Sequence, residues 1–263
     1  MIMSKTLLQA QDIHKRYRRV QVLGGASLSI GPGETGIGLD KSTGNVIRDN
    51  EVWGQLHVGI GLKNHADGNQ VLRNNVHDNA LGIALFNANN NLVSGNEVLN
   101  SHGSGVGIEL ASTSNGNTVQ SNLLAGTEQI GILVHLSSHN IIGGDAPALG
   151  NTVLNSGDAG IALVESGSNT LGNNRVETAE LGVALVVRST GNVLSRNSVT
   201  DTTVGVLVGG DSKGNTVAEG MVFDNQQLGI LVYGSGNSLV GNGVFNNGSL
   251  GIGVWGGKGN VLD

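Results

Sequence analysis

The sequence predicts an all-β solenoid of about ten coils, and three observations carry that expectation. A unit of 22 to 29 residues repeats along the chain, apolar residues alternate within each unit, and turn-forming residues separate the alternating pieces. One copy, residues 229–244, reads GILVYGSGNSLVGNGV. Its opening Gly-Ile or Gly-Val pair recurs at residues 36, 59, 82, 107, 131, 160, 182, 205, 229 and 251. Within this copy Ile230 and Val232, then Leu239, then Val244 fall at the spacing of short strands with one buried face. Glycine and asparagine stand between these pieces, where the backbone turns and often needs positive φ. Three short strands and three turns in so few residues leave no room for a helix. Each strand is expected to pair in parallel with its copy one unit later, about 4.8 Å along the axis.

Asparagine supports the same picture. One column reads Asn45, Asn69, Asn91, Asn117, Asn169, Asn192, Asn215, Asn237 and Asn260. A second reads Asn50, Asn74, Asn96, Asn122, Asn174, Asn197 and Asn242. Amides stacked at one coil spacing can hydrogen-bond along the column, so both columns read as structural.

The pattern GIxL, a turn, NxV and a second NxV resembles the repeat of right-handed parallel β-helix proteins, the pectate-lyase-like superfamily. It is most similar to the subset with carbohydrate-binding and sugar-hydrolase repeats, which includes NosD. The resemblance covers about residues 35–263. It implies a single-stranded right-handed parallel β-helix over residues 36–263, with residues 1–35 as a non-repeat N-terminal cap. Repeat residues build coils rather than sites, so the likeness speaks to fold more than to activity.

Composition narrows the function classes. The chain has 263 residues, 44 of them glycine, a formal net charge of −6 and 3% aromatic residues. An acidic body argues against nucleic acid as a partner. The chain has no cysteine, which excludes disulfides and thiolate chemistry. The first residues contain no signal-peptide apolar core, and no apolar run is long enough to span a membrane. The expected location is therefore cytoplasmic as written, or extracellular or periplasmic if a leader has been lost. The segment before the repeat is basic, with Lys5, Lys15, Arg16, Arg18 and Arg19 against Asp12 and Glu34. It reads as a solvated cap over the first coil. Residues 7–34 also resemble the first strands of ABC-transporter ATPase subunits. The P-loop that should follow is missing: in GIGLDKST, residues 36–43, Asp40 stands where the second glycine is required, so nucleotide binding is not expected. A longer step around residues 139–153, with Gly-Gly-Asp and Pro147, reads as a loop bulging from the rod.

If Ile and Leu of GIxL point inward, the residue between them and the one after point outward. This face ends in largely apolar and aromatic residues, which suits self-association or the stacking of sugar rings. Lys63, Phe86, Tyr233 and Trp255 are the expected ligand-binding residues on it. Ionisable groups converge in its N-terminal half, at Glu109, Glu128 and His135. The resemblance to polygalacturonase-type glycosidases implies an outward catalytic carboxylate with a histidine one coil away, and Glu109 and His135 match those places. With Glu128, the three are the candidate catalytic set for a polysaccharide hydrolase or lyase. The flanking motifs of those glycosidases, of pectate lyases and of alginate epimerases are absent. His77 and His102 each lie five residues before a Gly-Ile and are expected to share a column, where a NosD-like protein would handle copper. No third ligand accompanies them, so no metal site and no cofactor is expected. The favoured reading is a non-catalytic scaffold or binding module meeting a polysaccharide or another subunit. The alternatives are the carbohydrate-active enzyme and the metal-handling protein.

Overall fold

The computed structural model describes residues 33–263 throughout. Of the first 32 residues it describes four strand segments: Gln9–Asp12 pairs antiparallel with Ala26–Ser29, and Arg16–Tyr17 with Val20–Gln21. The reading of residues 1–35 as a cap lies largely outside the described residues.

From Thr35 onward the chain winds into a parallel β-helix. Its front sheet has ten strands, beginning Thr35–Asp40, Val58–Lys63 and Leu81–Phe86 and ending at Leu250–Val254. A second ten-stranded sheet runs from Val46–Arg48 to Val261–Leu262. A third, of nine strands, runs from Glu51–Trp53 to Gly243–Phe245. Each strand lies between its copies in the preceding and following coils. The single described helix is one 3-10 turn, Pro147–Leu149, inside the long step, where the bulging loop is expected. Among the described residues no helix is long and apolar enough to cross a membrane.

The inward residues stack in columns. Ile60, Ile83, Ile108, Ile132 and Ile161 form one, and Leu62, Leu85, Leu110, Val134 and Leu163 the next, all fully buried. Val71, Val93, Val119 and Ile142 fill the second sheet's column, and Val52, Val76, Val98 and Leu124 the third's. Burying such a side chain contributes about 1.5–3 kcal/mol. A continuous aliphatic cylinder thus replaces the aromatic core that the composition withholds. The opening glycine of each unit has a packing reason. A Cβ on Gly82 would lie 2.4 Å from the Gly107 carbonyl oxygen and 2.4 Å from a Val98 methyl, inside van der Waals contact.

Both asparagine columns form, and the structure completes them. Each ladder Oδ1 accepts from the preceding rung: Asn96 donates its backbone N–H (2.9 Å) and its Nδ2 (3.0 Å) to Asn122, which donates likewise to Asn151 (3.0 and 2.9 Å). Asn140 fills the first column between Asn117 and Asn169, and Asn151 the second between Asn122 and Asn174. Two further polar columns emerge. Buried serines 114, 137, 166, 189 and 212 each accept a backbone N–H from the coil before. Another column runs through Gln55, Asn79, Ser101, Thr127 and Ser156 at a third corner. Positive φ is not confined to glycine and asparagine. Arg73 (50°), Ser121 (53°), Arg196 (54°) and Glu219 (54°) adopt it just before the second column, where the ladder holds the corner in place.

The ladder predicts a large local cost. Replacing Asn122 by Ala strands the donors of Asn96 and the carbonyl of Val93, which accepts from Asn122 Nδ2 at 3.0 Å. At about 1–3 kcal/mol for each stranded group, the expected loss is roughly 3 kcal/mol or more. Urea unfolding of Asn122→Ala measures it; a loss below about 1 kcal/mol would remove the ladder from the account of stability.

Candidate functional site

The front sheet's outer surface carries three outward columns. The middle one runs Gly38, Gly61, Ala84, Glu109, Leu133, Ala162, Ala184, Leu207, Leu231 and Gly253. Beside it lie Asp40, Lys63, Phe86 and Ala111, then His135, Val164 and Val186, with Tyr233 and Trp255 just past the last strands. The third column was not anticipated: Val58, Leu81, Val106, Ile130, Ala159, Leu181, Val204, Leu228 and Leu250. Its signal is plain in hindsight, because an apolar residue precedes nearly every opening glycine. At the N-terminal end these columns pack among themselves, with Leu81, Ala84 and Val106 buried and Val58, Phe86, Ile130 and Leu133 against them.

Glu109 sits in the middle of this apolar surface. Its register partners are Ala84 and Leu133, and the structure leaves its side chain largely buried. Burial pushes its carboxyl above the usual range, opposed by the charge of nearby His135. Among the described residues no Lys or Arg forms an ion pair with it. His135 lies one coil on, two residues past Leu133, the register partner of Glu109. Glu128 is exposed in the turn before Ile130–His135, and its carboxylate accepts the Gly103 backbone N–H at 3.0 Å. It lies five residues before Leu133, roughly 15 Å of extended chain.

The four expected ligand-binding residues share one edge of the sheet but not one pocket. Lys63 lies 3.9 Å from Asp40 and pairs in register with Phe86. Tyr233 and Trp255 meet edge to face, with ring centroids 5.7 Å apart and 41% and 47% exposure. Six coil steps, on the order of 29 Å, separate Phe86 from Tyr233. A long ligand or a flat partner can touch both groups; a single sugar ring cannot.

The expected column of His77 and His102 does not form. His77 stands opposite Trp53 on one side and Leu99 on the other, while His102 lies in the turn beyond. Counting back from the Gly-Ile pair fails because the turns differ in length. His77 instead stacks on Trp53 (centroids 6.4 Å apart) and meets Asp78 at 2.8 Å and Glu51 at 3.2 Å. Burial opposes its protonation, but these two carboxylates outweigh it and raise its pKa; His77 in turn holds the Asp78 carboxyl low. Among the described residues no cluster of three metal-ligating side chains is present.

Residues 26–176 match the family described as right handed beta helix region, and residues 127–262 match periplasmic copper-binding protein (NosD). Each match spans more than half of the chain. The chain belongs to the right-handed β-helix family and, through its C-terminal half, to the NosD family. His77 and His102 lie outside the NosD match. No curated protein sequence matches the chain. Among solved structures, a mutant of the periplasmic alginate epimerase AlgG superposes with a TM-score of 0.67 at 15% identity, covering 90% of this chain and 73% of that one. Tailspike protein 2 of Escherichia coli O157:H7 bacteriophage CAB120 gives 0.62 at 12%, over 82% of this chain and 34% of that one. The DFA-IIIase of Arthrobacter chlorophenolicus A6 gives 0.53 at 15%, over 83% and 70%. At such identities these likenesses establish the fold alone.

Two pH-dependent outcomes follow. A carboxyl whose folded pKa is raised favours folding below its ordinary pKa, and that contribution is lost as pH rises through the raised value. Glu109→Gln should therefore stabilise the protein at pH 7 and lose that gain near pH 4; an equal effect at both pH values, read by urea midpoints, would contradict the buried charge. The raised pKa of His77 likewise means that its ion-pair contribution is present below pH 6.5 and fades as pH rises through the folded value. His77→Gln should cost more stability at pH 6 than at pH 9, and a cost independent of pH would rule out the ion pairs as its source.

Proposed function

We propose that this chain is a non-catalytic scaffold or binding module whose front sheet face meets a polysaccharide or another subunit. The observation that carries this reading is the outer surface of that sheet, where apolar columns run along the coils and end in the exposed Tyr233–Trp255 pair. A rigid flat surface with apolar stripes suits recognition of an extended partner. The names of the structural neighbours, an alginate epimerase among them, favour a polysaccharide as one such partner. We place the protein outside the cytoplasm on the same footing, since both NosD and AlgG are described as periplasmic. That is the extracellular or periplasmic alternative of the sequence reading rather than its cytoplasmic one.

The second reading is a polysaccharide hydrolase or lyase. One observation favours it: Glu109 is an outward, largely buried carboxyl with a raised pKa, next to His135, which suits a general acid. Glu128 faces Gly103, so a second carboxylate would have to swing from the turn to join it. The metal-handling reading draws support from the NosD match, but not from the histidine pair that suggested it.

The deciding experiment presents the protein with a panel of neutral and acidic polysaccharides, following retention in affinity electrophoresis together with new reducing ends and unsaturated products. The expected result is retention without turnover, weakened at least tenfold in Trp255→Ala. Turnover that disappears in Glu109→Gln would replace the module by an enzyme.

A further inference from the structure

The second asparagine ladder has one gap. From Asn50 to Asn242 every coil places a carboxamide at this corner except the one between Asn197 and Asn242, where the residue is Gly220. The backbone keeps its place in the column: the Met221 N–H donates to the Asn197 carbonyl at 2.9 Å, and the Gly243 N–H to that of Gly220 at 2.8 Å.

The gap shows in the hydrogen bonds on both sides. Asn174 gives its backbone N–H and its Nδ2 to Asn197 Oδ1, at 3.0 and 2.9 Å. Asn197 has no such acceptor ahead of it. Its Nδ2 keeps only the bond to the Leu171 carbonyl at 2.9 Å. Its backbone N–H has no partner among the described residues, although Asn197 is only 6% exposed. On the far side, Asn242 Oδ1 accepts the Gly220 N–H at 3.0 Å and no side-chain amide. The ladder amides also donate to the carbonyls of Ile142, Leu171 and Val217, each at the centre of a strand in the second sheet. Leu194, the strand centre between Leu171 and Val217, is passed over.

A cavity of about 10 Å³ lies at this place. Leu194, Asn197 and Gly220 line it from the corner, and Val199, Val217 and Val222 from the core. Such a volume holds one water molecule and nothing larger. The hydrogen-bonding inventory also selects water. The free groups of Asn197 are donors, so a cation does not serve them, and an anion would bring an unpaired charge against valines. Water accepts two hydrogen bonds and donates two, as the ladder carboxamides do. An unpaired buried N–H is costly enough that a polar occupant is favoured over a dry cavity.

We propose that this corner is a binding site for a single buried water, which takes the place of the side chain that Gly220 lacks. Its oxygen accepts from the Asn197 N–H and Nδ2, and its hydrogens go to Asn242 Oδ1 and the Leu194 carbonyl. The ladder between Asn50 and Asn242 is thereby continuous, with one rung whose closing group can exchange.

The test uses NMR on the full chain. A water-selective Overhauser experiment should show a long-lived water against the Asn197 amide proton. It should show none against that of Asn174, which is buried at the same corner but has its carboxamide partner. Gly220→Asn supplies the missing group. A side chain is admissible there: the backbone φ is not positive, and the nearest atoms to an added Cβ, the Asn197 carbonyl oxygen and Asn242 Oδ1, lie at 3.2 Å. In this variant the water contact should vanish, and relaxation dispersion of the water nuclei should count one fewer long-lived water per molecule. The Asn197 amide should exchange with solvent at least tenfold more slowly. No water contact at Asn197 in the wild type would mean a dry cavity and overturn the site, as would an unchanged water count in folded Gly220→Asn. If that variant does not fold, the wild-type contact decides alone.

Discussion

Every part of this molecule depends on one constraint: each coil must offer the next the same backbone path, about 4.8 Å further along the axis. The asparagine ladders enforce it. At most rungs one carboxamide oxygen takes two donors from the coil before, while its nitrogen donates to the coil after and often to a carbonyl of the coil before. Such a corner has no alternative register, because a slip of one residue strands buried donors and acceptors at once. Fixed corners also explain how bulky residues such as Arg73 and Arg196 hold a left-handed backbone that would be strained in a free turn.

Strict stacking has a consequence for the surface. Once corners are locked, outward residues align in columns just as inward ones do, and whatever occupies a position becomes part of a stripe. Most of the front-sheet stripe is aliphatic. Glu109 interrupts it, flanked in register by Ala84 and Leu133, with His135 one coil on in the neighbouring column. A largely buried carboxyl without a cationic partner lowers stability at neutral pH, whereas the other carboxylates in ion pairs are solvated or held by a neighbour. Residues that break a local rule without an evident gain to the fold mark places where function is expected.

The chemistry available on this rod is limited by the same geometry. Groups meet only if they share a column or sit one coil apart on adjacent columns. Glu109 and His135 meet that condition. Glu128 belongs to a corner, and its carboxylate serves the backbone of the preceding corner. Tyr233 and Trp255 meet each other but lie six and seven coils from Phe86. The face is thus better suited to recognition along its length than to a compact reaction centre.

Much of this was legible in the sequence by itself. The spacing of Gly-Ile pairs determines the number of coils, the alternation around them sorts residues onto two faces, and the unbroken run of large aliphatic residues on one of them marks it as the inward face. Ile132 and Ile161 are buried for that reason, and Glu109 is outward for the same reason. What the spacing could not decide was register across turns of unequal length. The bulge at Pro147–Leu149 moved Asn151 off the usual five-residue spacing from the first column, although Asn140 keeps its ordinary place nine residues after Gly131, and unequal turns separated His77 from His102. Nor could a linear pattern show that Glu128 turns toward Gly103, that His77 lies between two carboxylates, or that Glu109 has apolar neighbours one coil away on both sides. Apart from that of His77 with its chain neighbour Asp78, those contacts join residues 24 or more positions apart, and only the closed coil brings them together.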